Sequence, residues 1–296
     1  MSGDVPPPIE VYKVLISTYI SATSALLFTF PLDTLKTRLQ TTSKSALACT
    51  TDIIKYEGMR GFYRGIPASL ISAAPARSFT MSLYTSLISK YANWLDIGMQ
   101  SELDRPTIPV FLAGLSAGSL SCSFTAPFEF TKTASQVETL INKSPVKPGA
   151  IHAVKRIWQK GGIKMLYGGV EYQCLRDSIG SGVYFTVYET VKNKISQWTR
   201  KNEFEKNDRP NGIAIATAGA LCGATSWVVI YPIDTMKSEY QKNLYSSALL
   251  HEPEKVERPK LKFSLDMYRG LGFSIVRTAL NGVLIFTFFE YIQWML

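Results

Sequence analysis

Hydrophobic residues in this chain gather into long runs parted by charged, proline-marked stretches, and the same order of polar residues closes every second run. The first run covers residues 11–30 and is broken only by small polar side chains at Ser17, Thr18, Ser21, Thr23 and Ser24. About 20 apolar residues are what a helix needs to cross a bilayer, and small residues in such a helix let neighbouring backbones approach closely. This segment therefore reads as a packed helix. Pro31 removes one backbone donor and kinks it, and Asp33, Lys36 and Arg38 mark its arrival at water. Further runs open at Ile66, Pro109, Val170, Gly212 and Tyr268, giving six predicted transmembrane helices. Gly114 and Gly118, then Gly219 and Gly223, repeat the small-residue spacing.

The polar segments inside each pair of runs differ. Residues 43–62 place Ala46, Ile53, Ile54 and Tyr56 along one face of a short surface helix, and 142–165 resemble it with Lys155, Arg156, Lys160 and Lys164. The third segment, 243–263, carries Pro253 and Pro259 among acids and bases, so no regular helix is expected there. An aromatic residue and a glycine precede each even-numbered run, in Tyr63-Arg64-Gly65, Tyr167-Gly168-Gly169 and Tyr268-Arg269-Gly270.

The closing motif is written three times with fixed offsets of proline, acid, base and glutamine: Pro31, Asp33, Lys36, Gln40; Pro127, Glu129, Lys132, Gln136; Pro232, Asp234, Lys237, Gln241. A repeat of this kind outranks a domain count taken from length. The chain divides into a flexible N-terminus at 1–10 and tandem repeats at 11–105, 106–208 and 209–296, all within one integral domain.

Charge sharpens the picture only slightly. The net +9 suits acidic lipids or anionic ligands. A nucleic-acid partner is excluded by the long apolar segments and by the lack of any zinc-finger, RNP or helix-turn-helix pattern. Cys49, Cys122, Cys174 and Cys222 lack metal-ligand spacing and read as free thiols. His152 and His251 stand alone in polar linkers, and no nucleophile, metal or dinucleotide motif accompanies them. Neither an enzyme nor a cofactor is expected. Residues 1–10 hold Pro6, Pro7, Pro8 and two acids but no arginine, so no cleavable presequence is read there.

Three copies of P-x-[DE]-x-x-[KR], each followed by the aromatic-to-glycine turn, resemble the mitochondrial carrier family over nearly the whole chain. The resemblance implies an all-α membrane protein. Its six transmembrane helices form a threefold pseudo-symmetric bundle with short matrix helices, multi-pass in the mitochondrial inner membrane, with both termini toward the intermembrane space. It further implies a monomer that meets membrane lipid, cardiolipin at the matrix helix ends, and a small-molecule substrate moved by alternating access, as in antiport.

An acid and a base three residues apart can pair locally, for only about 0.2–0.5 kcal/mol. Around a pseudo-threefold axis, each acid can instead reach the base of the next repeat: Asp33 to Lys132, Glu129 to Lys237, Asp234 to Lys36. Such a ring would close the matrix end of a central cavity, braced by Gln40, Gln136 and Gln241. The resemblance places a second, cytoplasmic gate on the even helices. Only Tyr188, Glu189 and Lys192 comply fully, and Lys192 to Glu290 is the one good pair available. The empty protein is therefore expected to rest with its matrix side closed.

Seven residues after the glycine of each even helix stand Ser72, Arg176 and Arg277, the level at which the resemblance implies substrate contact. Asp177 follows Arg176, Asn281 lies one turn beyond Arg277, and Arg77 borders the same face. The planar forks of arginine suit carboxylates. Arg277 with Arg77 favours a di- or tricarboxylate such as citrate, which leads. Arg176-Asp177 is similar to the pair in amino-acid and carnitine-type carriers, where the acid meets an ammonium. A carrier-like scaffold without transport is the alternative of another class. Cys122 and Trp227, five residues before their prolines, either line the cavity or pack.

Overall fold

The computed structural model describes residues 8–42, 44–96, 107–142, 150–201, 212–250, 258–259 and 264–295. Among them lie eight α-helices and two short 3-10 turns, with no strand. The six long helices are α1 (Pro8–Thr41), α3 (Ile66–Trp94), α4 (Thr107–Asn142), α6 (Val170–Lys201), α7 (Gly212–Leu250) and α8 (Leu271–Met295). Two short ones, α2 (Ala46–Glu57) and α5 (Ala150–Leu166), fall where surface helices were expected. The expected flexible stretch 1–10 lies mostly outside the described residues, and its last three residues open α1.

Pro31, Pro127 and Pro232 do not end their helices: α1, α4 and α7 each continue past the proline and carry the charged motif with them. Each proline removes one backbone donor, but the residues beyond it are buried against neighbouring helices, and packing holds the helix where propensity would not. The third polar segment departs from expectation for the same reason. Helix α7 runs on to Leu250 because Leu244, Tyr245, Ala248 and Leu249 pack on a core of Phe130, Val137, Ala153 and Ile157 from α4 and α5. Residues 251–257 and 260–263 of that segment lie outside the described residues.

The long helices pack in a ring: α3 on α4, α4 on α6, α6 on α7, α7 on α8, and α8 back on α1. The three motif-bearing helices α1, α4 and α7 also touch one another, so they converge at the end that bears the charged motifs. Glycine permits the turns into the following helices. Gly65, Gly169 and Gly270 all have φ between 77° and 89°, in the left-handed region that side chains avoid. On the α4–α6 seam a Cβ added at Gly118 would lie 2.2 Å from the Asp177 carbonyl oxygen, so the two backbones touch there.

The distribution of polarity is inverted. Asp33, Lys36, Arg38, Gln136, Asp234 and Lys237 are buried, while Phe28, Ile71, Leu120, Leu175, Leu221 and Val283 are exposed. One described helix stretch, Thr107–Glu138, is long and apolar enough to cross a membrane by composition alone, with mean hydropathy 1.4. The other long helices spend hydropathy on interior polar residues, such as Ser17 and Ser21 in α1.

Candidate functional site: a ring of charges beneath two arginines

Where α1, α4 and α7 converge, each helix offers its acid and its base to different neighbours. Lys132 Nζ donates to Asp33 Oδ2 at 2.9 Å, Lys237 Nζ to Glu129 Oε2 at 3.0 Å, and Lys36 Nζ lies 2.7 Å from Asp234 Oδ2. Acid and base within one motif would have needed only a local turn. The convergence of three helices makes the inter-helical partner available instead, and burial strengthens the attraction by removing water.

The glutamines do not act alike. Gln40 donates to Asp234 Oδ2 at 2.8 Å and accepts from Ser238 at 3.0 Å, bracing one bridge. Gln136 donates instead to Thr34 Oγ1 at 3.2 Å, and Gln241 to the Gly168 carbonyl at 3.2 Å. Those two tie helices together beside the ring rather than bracing an ion pair. The expectation of three equivalent braces is corrected: only the α1–α7 seam has one. Its physical basis is the α1–α7 approach, which brings Gln40 within reach of Asp234, Thr235 and Ser238 at once.

Arg176 and Arg277, expected from the sequence to meet substrate, both reach down into this ring. Arg176 donates from Nε and Nη2 to Asp177 Oδ1 at 2.8 and 2.6 Å, and from Nη1 to Asp234 Oδ1 at 3.0 Å, with Glu129 Oε2 at 3.6 Å. Arg277 Nε sits 2.9 Å from Asp33 Oδ1, although its N–H is not aimed at that oxygen as a hydrogen bond. Asp33 and Asp234 thus give one oxygen to a lysine and the other to an arginine. The polar recess at this level is lined by ring residues with Arg176, Thr37, Thr133 and Ser238 among them.

Trp227 roofs the assembly. Its ring centroid is 4.0 Å from Lys36 Nζ and 5.6 Å from Arg277 Cζ, within cation–π reach, and its Nε1 donates to Thr278 Oγ1 at 2.8 Å. Of the two sequence readings for this residue, lining the site is the one its contacts match. Cys122, by contrast, is buried against the Val170 carbonyl. Asn281 and Arg77 make no ion pair or side-chain hydrogen bond among the described residues.

At the opposite end Lys192 pairs with Glu189 of its own helix at 3.4 Å, and Tyr84 donates to Glu189 at a long 3.5 Å. Tyr188 is partly buried on α6 beside them. The side chain of Glu290, the expected partner of Lys192, lies outside the described residues. Glu189 and Lys192 are i, i+3 neighbours on α6, a spacing that brings an acid and a base together.

Sequence reading also missed a second clamp. Arg38 and Arg64 both pair with the buried Glu57, tying α1 to α2 and to the start of α3. In the next repeat the polarity is reversed: Glu138 on α4 pairs with Arg156 on α5 at 2.6 Å. Ala134 stands where the first repeat has Arg38, seven residues after the proline, and the base of this clamp comes from α5 instead.

Comparison with known proteins matches this arrangement to one family. A family profile described as mitochondrial carrier protein matches residues 7–93 and 104–197. Mitochondrial ornithine transporter 1 of Schizosaccharomyces pombe is 34% identical over 88% of this chain and 85% of its own length. A mitochondrial arginine transporter of Arabidopsis thaliana is 27% identical over 88% and 83%, and the mitochondrial carnitine/acylcarnitine carrier protein of Mus musculus is 28% identical over 81% and 79%.

Proposed function

The chain belongs to the mitochondrial carrier family of solute transporters, and from that premise we propose that it carries a small metabolite bearing both a carboxylate and an ammonium across the mitochondrial inner membrane. The observation that carries this reading is the pairing of Arg176 with Asp177 at the substrate level. The three ring acids and three ring lysines balance among themselves. Asp177 is therefore an additional acid, and a site for citrate would have no task for it and would be repelled by it. Both arginines already hold carboxylates, so a bare di- or tricarboxylate must displace several protein acids without replacing any cation. A zwitterion exchanges partners in kind: its carboxylate takes Arg277 from Asp33, and its ammonium takes Asp177. The sequence-based lead of citrate gives way on this ground, and the substrates for which the relatives are named, ornithine, arginine and carnitine, lean the same way.

The exposed apolar and buried polar residues support six membrane-spanning helices, and the ring serves as the matrix gate. Binding and opening are coupled through shared carboxylates. When the substrate occupies Arg277 and Asp177, Asp33 loses its arginine and Arg176, which also holds Asp234 and Glu129, loses Asp177, a charged contact of this kind being worth about 1.5–3 kcal/mol. The ring weakens only while substrate is bound, which is the differential interaction a ligand-driven switch requires. The intact ring also argues against a non-transporting scaffold.

The test is exchange by the purified protein in liposomes preloaded with citrulline, arginine, carnitine, citrate or malate. Exchange of citrulline or another of the ammonium-bearing compounds, reduced at least about tenfold in Asp177→Asn, is expected. Exchange of citrate or malate alone would overturn the reading.

A further inference from the structure

Lys36, Lys132, Lys237, Arg176 and Arg277 each have a carboxylate within 3.0 Å. Arg77 has none among the described residues, though it sits in the middle of the long helix α3. It follows Ser72 by five residues, so it stands about 7.5 Å further along the helix from the substrate level. It precedes Tyr84 by seven residues, two turns on, and so shares nearly the same face. That face looks across the interior, because the Tyr84 ring stacks on Phe185 of α6 with centroids 3.8 Å apart. An arginine at this depth is tolerated where it meets water or an anionic partner, and its fork suits carboxylate and carbonyl oxygens.

Resting on the zwitterion reading above, we propose that Arg77 is a specificity residue that reads the far end of the substrate, admitting a neutral acceptor or an anion there and rejecting a second ammonium. A substrate held by its α-carboxylate at Arg277 and its α-ammonium at Asp177 projects its side chain along the cavity toward Arg77. A ureido or carboxylate end accepts from the guanidinium. A terminal ammonium meets like charge there, at a cost that separates otherwise similar ligands.

Three amino acids of similar length distinguish these ends: ornithine, citrulline and glutamate. Initial uptake of each into liposomes is measured for the full chain and for Arg77→Gln and Arg77→Glu, with rates normalised to folded protein by melting temperature. The unaltered carrier is expected to take up citrulline or glutamate at least about tenfold faster than ornithine. Arg77→Glu reverses the order of glutamate and ornithine, and Arg77→Gln falls between. An order that is the same in all three proteins, or an equal fall for all three substrates, overturns the specificity role while leaving the zwitterion reading intact. Uptake of citrate or malate with none of the amino acids overturns both.

Discussion

The charged end of the bundle and the α3/α4/α6 half are both tightly buried, but they are held by opposite means. At the charged end the helices meet through side chains that share oxygens, with Asp33 and Asp234 each serving a lysine and an arginine. In the other half they meet because side chains are missing or apolar: Gly114 and Gly118 bring the α4 backbone against α6, and Val110, Ala113 and Ala117 pack beneath Tyr84 and Phe185. Ion pairs can trade partners with a substrate and re-form. Close-packed backbone cannot give way by degrees, since interiors of this density are felt at the level of a single methylene. On the proposed mechanism, the moving part of the carrier belongs at the charged end, and the hinge it moves against belongs to the small-residue seam.

The largest effect should come from breaking that seam. Gly118→Leu drives a side chain into the Asp177 backbone, where even a Cβ would lie 2.2 Å from the carbonyl oxygen. The expected cost exceeds about 4 kcal/mol, read as loss of a cooperative thermal transition in detergent. A melting temperature like that of the parent would show that α4 and α6 can separate freely and would remove the distinction between the two regions.

Next in size is Asp234→Asn. Asp234 is 3% exposed and serves Lys36, Arg176 and Gln40 together, so removing its charge strands the buried Lys36 and takes one carboxylate from Arg176, at about 3–5 kcal/mol. Transport should fall below detection while the seam still holds the fold. Glu129→Gln should cost less, about 1–2 kcal/mol, because Glu129 is 27% exposed and water can take over part of its role at Lys237. The order of the two melting temperatures checks whether the ring is as uneven as its contacts: equal losses would mean that Gln40 braces nothing.

Much of this was legible in the sequence, and the limits are instructive. The partners Asp33–Lys132, Glu129–Lys237 and Asp234–Lys36 follow from charge spacing plus the idea of a threefold axis. The arginine contacts do not, because whether Arg277 meets a ligand or Asp33 depends on helix tilt, which no local pattern records. Gln136 and Gln241 were mistaken for equivalents of Gln40, since identical spacing says nothing about how closely two helices approach. The extension of α7 to Leu250 was hidden for a related reason: its apolar positions point to a core contributed by α4 and α5, some hundred residues distant in the chain.

The smallest effect sharpens the comparison at the end opposite the ring. Tyr84 there combines a stack on Phe185, at 3.8 Å and an interplanar angle of 6°, with a hydroxyl that reaches Glu189 at 3.5 Å. If that end is held by packing, Tyr84→Phe keeps the stack and loses less than about 0.5 kcal/mol, a long hydrogen bond being worth less than the usual 0.5–1.5. Tyr84→Ala should then lose about 3 kcal/mol or more, as aromatic deletions from a core do. A double-mutant cycle with Glu189→Gln apportions the two contributions. Should Tyr84→Phe cost as much as Tyr84→Ala, the hydroxyl network would be what closes this end, and the carrier would have two polar gates, with substrate able to loosen either one.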